Sequence, residues 1–188
     1  MKLFITFINT SIFLSLLIGL PTCVLAADVT TVPYVELQRY LGHWFEIASI
    51  PSWFQKPCVG GTTADYRLLD DGSISVVNSC LKVSDDVLIS QGRAFVADTE
   101  TNAKLLVSFV NIQDKWLFFG DYWILGLGNN YEYAVVGEPT RNYGWILSRT
   151  CSLPQETIEV IINLLTEQGY DLTRFAWTNQ SSAGCIQP

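Results

Sequence analysis

The sequence predicts an all-β domain, an antiparallel sandwich or closed barrel of about eight strands. One helix packs on its outside and a short ninth strand follows. Three observations carry this. Short segments rich in β-branched and aromatic residues follow one another from residue 44 to 150, separated by turn signals. A single stretch of helical period comes only after them. No internal repeat, low-complexity tract or linker divides the 188 residues, which fits one domain.

The elements follow in order. Residues 1–26 read as a secretory signal: Lys2 is the positive end, residues 11–20 are largely apolar, Pro21 breaks the run, and Val24-Leu25-Ala26 offers small residues for cleavage before Ala27. The domain is then residues 27–188. Asn9, Thr10 and Ser11 interrupt the apolar run, which argues against a retained membrane anchor. Cys23 raises a lipoprotein anchor as the less favoured alternative, because Pro21 and Thr22 stand where small residues are wanted. The expected location is the periplasm or the outside of the cell, with outer-membrane anchoring through Cys23 as that alternative.

Pro33 opens a helical turn over residues 34–40, ended by Gly42. A first strand covers residues 44–50. A loop over 51–61 carries Trp53, Phe54 and Cys58. Strands follow at 63–69, 73–82, 87–97, 103–110, 120–127, 131–137 and 144–150, with Asp70-Asp71-Gly72 a strong hairpin turn between the first two of them. Pro154, Gln155 and Glu156 start a helix whose apolar stripe is Ile158, Ile161, Ile162 and Leu165, and Gly169 stops it. A last strand covers 174–179. Eight strands, then a helix, then a short strand favour an up-and-down barrel, whose interior holds one small ligand.

Composition excludes several functions. The chain is 49% hydrophobic with a net charge of −7 and no basic run, so a nucleic-acid partner is not expected. His43 is the only histidine. On a strand it points away from Trp44 and Glu46, and no Gly-x-Ser-x-Gly elbow accompanies it, so no catalytic residue is assigned. Cys58, Cys80, Cys151 and Cys185 lack metal-ligand spacing, so no metal site is expected; four cysteines suggest two disulfides with three connectivities open. One histidine and one methionine, the initiator, leave few axial ligands for haem, although a tyrosine could serve.

Three blocks resemble the signatures of a known family. Gly42-x-Trp44-Phe45-Glu46-Ile47, Asp121-Tyr122-Trp123-Ile124-Leu125 and Trp145-Ile146-Leu147-Ser148-Arg149-Thr150 resemble, in order and spacing, those of the lipocalins. Tyr40-Leu41-Gly42, residues 135–139 and the helix after Arg149 extend the likeness to the bacterial lipocalin and apolipoprotein D branch. The resemblance implies a calyx that binds, stores or transports a fatty acid, lysophospholipid or similar ligand in membrane maintenance, without catalysis and without a cofactor. The runner-up readings are a tetrapyrrole carrier and a thiol-dependent enzyme on the same barrel.

In such a barrel Arg149 can lie over the Trp44 indole at the closed end, and Gly42, Trp44, Asp121, Tyr122 and Arg149 are structural positions. Alternation from Trp44 and Arg149 then gives the expected ligand lining: Glu46, Ala48, Ile50, Trp145 and Leu147. The topology places Cys58 and Cys185 at the open end, and Cys80, read as ending the second strand, with Cys151 at the closed end. The expected pairs are Cys58–Cys185, which matches a bridge of apolipoprotein D, and Cys80–Cys151, on topology alone. Trp53 and Phe54 line the mouth, touch a membrane as a peripheral contact, form a homodimer contact, or pack beneath their loop. The chain is expected to be a monomer or homodimer.

Overall fold

A computed structural model describes residues 28–180. The leader, the Cys23 alternative and Cys185 lie outside the described residues. Helix α1 (Leu37–Tyr40) precedes strand β1 (Gly42–Ser49). Strands β2 (Cys58–Leu68), β3 (Ile74–Lys82), β4 (Val87–Val96) and β5 (Lys104–Ser108) follow. A small hairpin, β6 (Val110–Ile112) with β7 (Lys115–Leu117), interrupts the order. Strands β8 (Gly120–Leu127), β9 (Tyr133–Gly137) and β10 (Gly144–Ser148) complete the wall. Helix α2 (Gln155–Glu167) and the two-residue strand β11 (Ala176–Trp177) end the described chain.

Each wall strand pairs antiparallel with its neighbour, and β10 pairs with β1, so eight strands form a closed barrel with β11 outside it along β1. A closed barrel leaves no edge among its eight strands. The strand at 103–110 stops at Ser108, because its hydroxyl bonds the Val110 and Leu117 carbonyls and turns the chain into the β6–β7 hairpin.

Two apolar clusters lie on the two faces of the wall. The inner one holds Trp44, Ile74, Val76, Ala94, Leu105, Ile124, Val136 and Leu147. The outer one lies under α2, where Ile161 and Leu165 meet Ile47, Leu125, Val135 and Ile146. Burying a side chain of this size contributes about 1.5–3 kcal/mol. Pro154 caps the helix N-terminus, and Gly169, at φ +76°, takes the left-handed conformation after its last turn. Gly126 is needed for a different reason: a Cβ there would overlap the Leu164 side chain of α2.

The disulfides differ from both expected pairs. Cys58 bonds Cys80, with the Cα atoms 5.6 Å apart. Strand β2 starts at Cys58 itself, opposite Lys82, rather than at residue 63. Cys80 ends the third strand, not the second, and so reaches the open end where β2 begins. The Cys58–Cys80 bond overturns both expected pairs, since it takes one cysteine from each, and the parity of β3 explains why Cys80 is not at the closed end with Cys151. Cys151 is also disulfide-bonded, to a partner outside the described residues.

Candidate functional site

The floor of the barrel is built by the chain on both sides of Gly42. Gly42 has φ +93°, a conformation that favours glycine, and its missing side chain leaves room beside an Arg149 nitrogen. Arg149 sits 3.7 Å from the Trp44 ring centroid. Its N–H groups donate to the carbonyls of His43 (2.7 Å), Arg39 (2.8 Å), Leu41 (2.9 Å), Tyr40 (3.1 Å) and Tyr131 (3.3 Å). The Trp44 indole donates to the Tyr40 carbonyl at 2.8 Å. One guanidinium thus satisfies the carbonyls that α1 and the start of β1 leave open. Asp121 is exposed on the outer face of β8.

Above the floor stand three tyrosines. Tyr40, Tyr66 and Tyr122 come from α1, β2 and β8, and Tyr122 Oη lies 2.7 Å from Tyr40 Oη and 3.0 Å from Tyr66 Oη. Burial is the main cause that raises all three pKa values; Tyr66 is pushed up to about 12. Tyr66, Tyr122, Val107 and Trp145 face inward yet stay partly exposed, and the space they are exposed to is the lumen.

Glu46 is the one carboxylate on the lumen side of β1. It is 6% exposed and accepts from Thr178 Oγ1 (2.6 Å), Gln55 Nε2 (2.8 Å) and Ser49 Oγ (3.1 Å). Burial raises its pKa, and those three donors pull it back down in part. Gln55 comes from the β1–β2 loop and Thr178 from the segment after β11, so Glu46 ties both to β1.

The expected lining is only partly assembled. Glu46, Leu147 and Trp145 do face the inner side. Ala48 and Ile50 do not: both belong to the cluster beneath α2. A register shift between Glu46 and Ala48 against β10 reverses the alternation, so Ser49, opposite Trp145, takes the inward place. Nothing in the local sequence marks that bulge. Sequence reasoning missed the tyrosine cluster, because Tyr66 is placed on the inner face only by the pairing of Ala64 with Trp44.

His43 lies on the outer face. Its Nδ1 is 3.0 Å from Asp65 Oδ1 and its ring meets Phe45 edge-on. Among the described residues no group of three or more His, Cys, Asp or Glu could hold a metal ion.

The mouth is lined by aromatics. Phe54 stacks on Tyr143 at 6.2 Å between centroids, and Tyr143 stacks on Trp145 at 6.1 Å. Beyond them large apolar side chains stand in solvent on three connections: Trp53 (74% exposed), Val83 (83%), Ile112 and Phe118 (80%). Glu138 organises the β9–β10 connection there. Burial raises its pKa, but bonds from Thr140 and from the Asn142 and Tyr143 amides outweigh that and hold it below 4.5. A side recess of about 160 Å³ opens where β2 leaves β1, lined by Glu46, Ser49, Gln55, Gly60 and Thr178 among others.

The family profile described as a lipocalin-like domain matches residues 35–180. The chain is a lipocalin. It is 37% identical to temperature-induced lipocalin-1 of Arabidopsis thaliana over 157 residues, 82% of this chain and 84% of that one. It is 35% identical to the outer membrane lipoprotein Blc of Escherichia coli K12 over 153 residues, 81% and 83% of the two chains. The solved structure of insecticyanin from the tobacco hornworm Manduca sexta superposes with a TM-score of 0.67 at 25% identity, covering 86% of this lipocalin and 89% of that chain. Relatives of this family support the binding of small hydrophobic ligands as the general role of the barrel.

Proposed function

We propose that this lipocalin carries a single-chain lipid, a fatty acid or lysophospholipid, in the bacterial envelope. The observation that carries the reading is the lumen: inward-facing Val107, Trp145, Tyr66 and Tyr122 stay partly exposed inside a closed barrel whose floor Trp44 and Arg149 seal. Removing alkyl chain from water contributes about 0.8 kcal/mol per CH₂, so binding needs no reaction, only reversible desolvation. The charged head group stays at the mouth. The exposed apolar rim suits exchange with a lipid surface as a peripheral contact. The leader read in residues 1–26 and the likeness to the outer membrane lipoprotein Blc support export to the envelope.

A thiol-dependent enzyme is the weaker reading, because Cys58, Cys80 and Cys151 are all in disulfides. Native mass spectrometry of the protein purified from its source tests the proposal. The expected result is an added mass of one single-chain lipid. A coloured adduct with tetrapyrrole absorption, or a protein that neither carries lipid nor takes up added hexadecanoate, overturns it.

A further inference from the structure

Beyond holding an alkyl chain, the lumen has a polar end. The Tyr40, Tyr66 and Tyr122 hydroxyls form a chain with Tyr122 at its centre. Three phenols own three protons but share two contacts. When each contact takes one proton, one O–H is left to donate, and phenolic lone pairs are left to accept. Tyr66 and Tyr122 border the lumen, so a ligand that reaches the floor can use both.

The surroundings decide which oxygen suits. Arg149 is the cation nearest the phenols, but it lies behind the Trp44 ring and gives its N–H groups to backbone carbonyls. Lys104 lies over the Trp123 ring, and Trp123 packs in the outer cluster. Glu46 faces the lumen nearer the mouth, where Gln55 of the β1–β2 loop and Ser49 donate to it. An ionised carboxylate at the floor would meet phenolic hydrogen bonds but no free ion-pair partner, since the Arg149 N–H groups are taken by carbonyls. Burying a charge without a partner is costly, whereas a neutral oxygen needs only its hydrogen bonds.

We infer that the three tyrosines are a deep anchor for an uncharged hydroxyl or carbonyl oxygen at the leading end of the ligand. This rests on the calyx reading above and specifies the chemistry of its buried end.

The test uses dodecan-1-ol and dodecanoate at pH 8, titrated by calorimetry into the wild-type protein and into Tyr122→Phe and Tyr66→Phe. The alcohol is expected to bind more tightly. Each variant should weaken it about tenfold, the loss of one buried hydrogen bond, while dodecanoate changes less than twofold. Equal losses for both probes, or an alcohol affinity untouched in both variants, overturn the inference while leaving the calyx reading in place. Failure of both probes to bind the wild type overturns the calyx reading and the anchor with it. Phenylalanine keeps the ring, so near-ultraviolet circular dichroism of each variant confirms the fold before titration.

Discussion

At the closed end of the barrel, five backbone carbonyls turn toward one guanidinium, and the Trp44 ring beneath it is fully buried. At the open end, Trp53, Val83 and Phe118 stand at least 74% exposed, and hydrogen bonds there hold loops to the wall through Glu46 and Glu138. The two ends are made from the same kinds of side chain, aromatic rings and a few charges. Where the charges lie makes the difference. Arg149 satisfies several strand and helix ends at once, so it locks the floor. The mouth buries Glu46 and Glu138 and leaves Trp53, Val83 and Phe118 in solvent, so it holds its loops while leaving apolar surface for a partner. Stability therefore concentrates at the floor and exchange at the mouth.

The sharpest break of that comparison is at the floor. Trp44→Ala is expected to cost about 3–5 kcal/mol in urea unfolding, because it opens a cavity and strips Arg149 of its ring. Arg149→Ala should approach that value, since it leaves several part-buried carbonyls without donors. A floor variant that melts like wild type would remove the distinction between the ends.

Next comes the mouth-side disulfide. Replacing Cys58 and Cys80 together by Ser should cost about 2–4 kcal/mol by the same measurement, and peptide mapping without reduction should recover the Cys58–Cys80 link. A Cys58–Cys185 peptide instead would contradict the Cys58–Cys80 bond.

Glu46 gives a smaller, pH-dependent effect. Its folded pKa lies above the ordinary 4.5, so the folded state holds its proton more tightly than the unfolded chain. Below 4.5 the group is protonated in both states and contributes no difference. As pH rises from 4.5 through the raised folded value, the unfolded chain is favoured and stability falls. Glu46→Gln should flatten that part of the stability–pH curve. An unchanged slope would mean that the three hydrogen bonds cancel the burial.

The smallest effect on stability belongs to the rim. Trp53→Ser with Phe118→Ser should change unfolding free energy by less than about 0.5 kcal/mol, yet reduce co-sedimentation with phosphatidylcholine vesicles. A large loss of stability would place these side chains in the core of the mouth rather than on its rim.

Much of the fold was legible in sequence because its signals are local. Asp70-Asp71-Gly72 turns where it was expected to, between β2 and β3. Of the stripe Ile158, Ile161, Ile162 and Leu165, Ile161 and Leu165 are buried against the barrel, and Leu164 packs beside them. The candidate site was legible only as far as alternation held. It placed Glu46, Trp145 and Leu147, then failed at Ala48 and Ile50, where the bulge against β10 adds a residue. The β6–β7 hairpin also escaped, because residues 110–117 carry a strand-like composition and no strong turn dipeptide.

What the sequence determined by itself, then, is the order of the wall strands and the helix, while the Trp44–Arg149 floor was expected from the resemblance of its blocks to a known family. Periodicity and turn chemistry act over a few neighbours and are written in the chain. The tertiary structure alone decided which cysteines meet, which side of β1 Ala48 and Ser49 take, and that Tyr40, Tyr66 and Tyr122 form one cluster. Each of these depends on register between strands far apart in sequence, and a shift of one residue in a β-strand sends every later side chain to the opposite face.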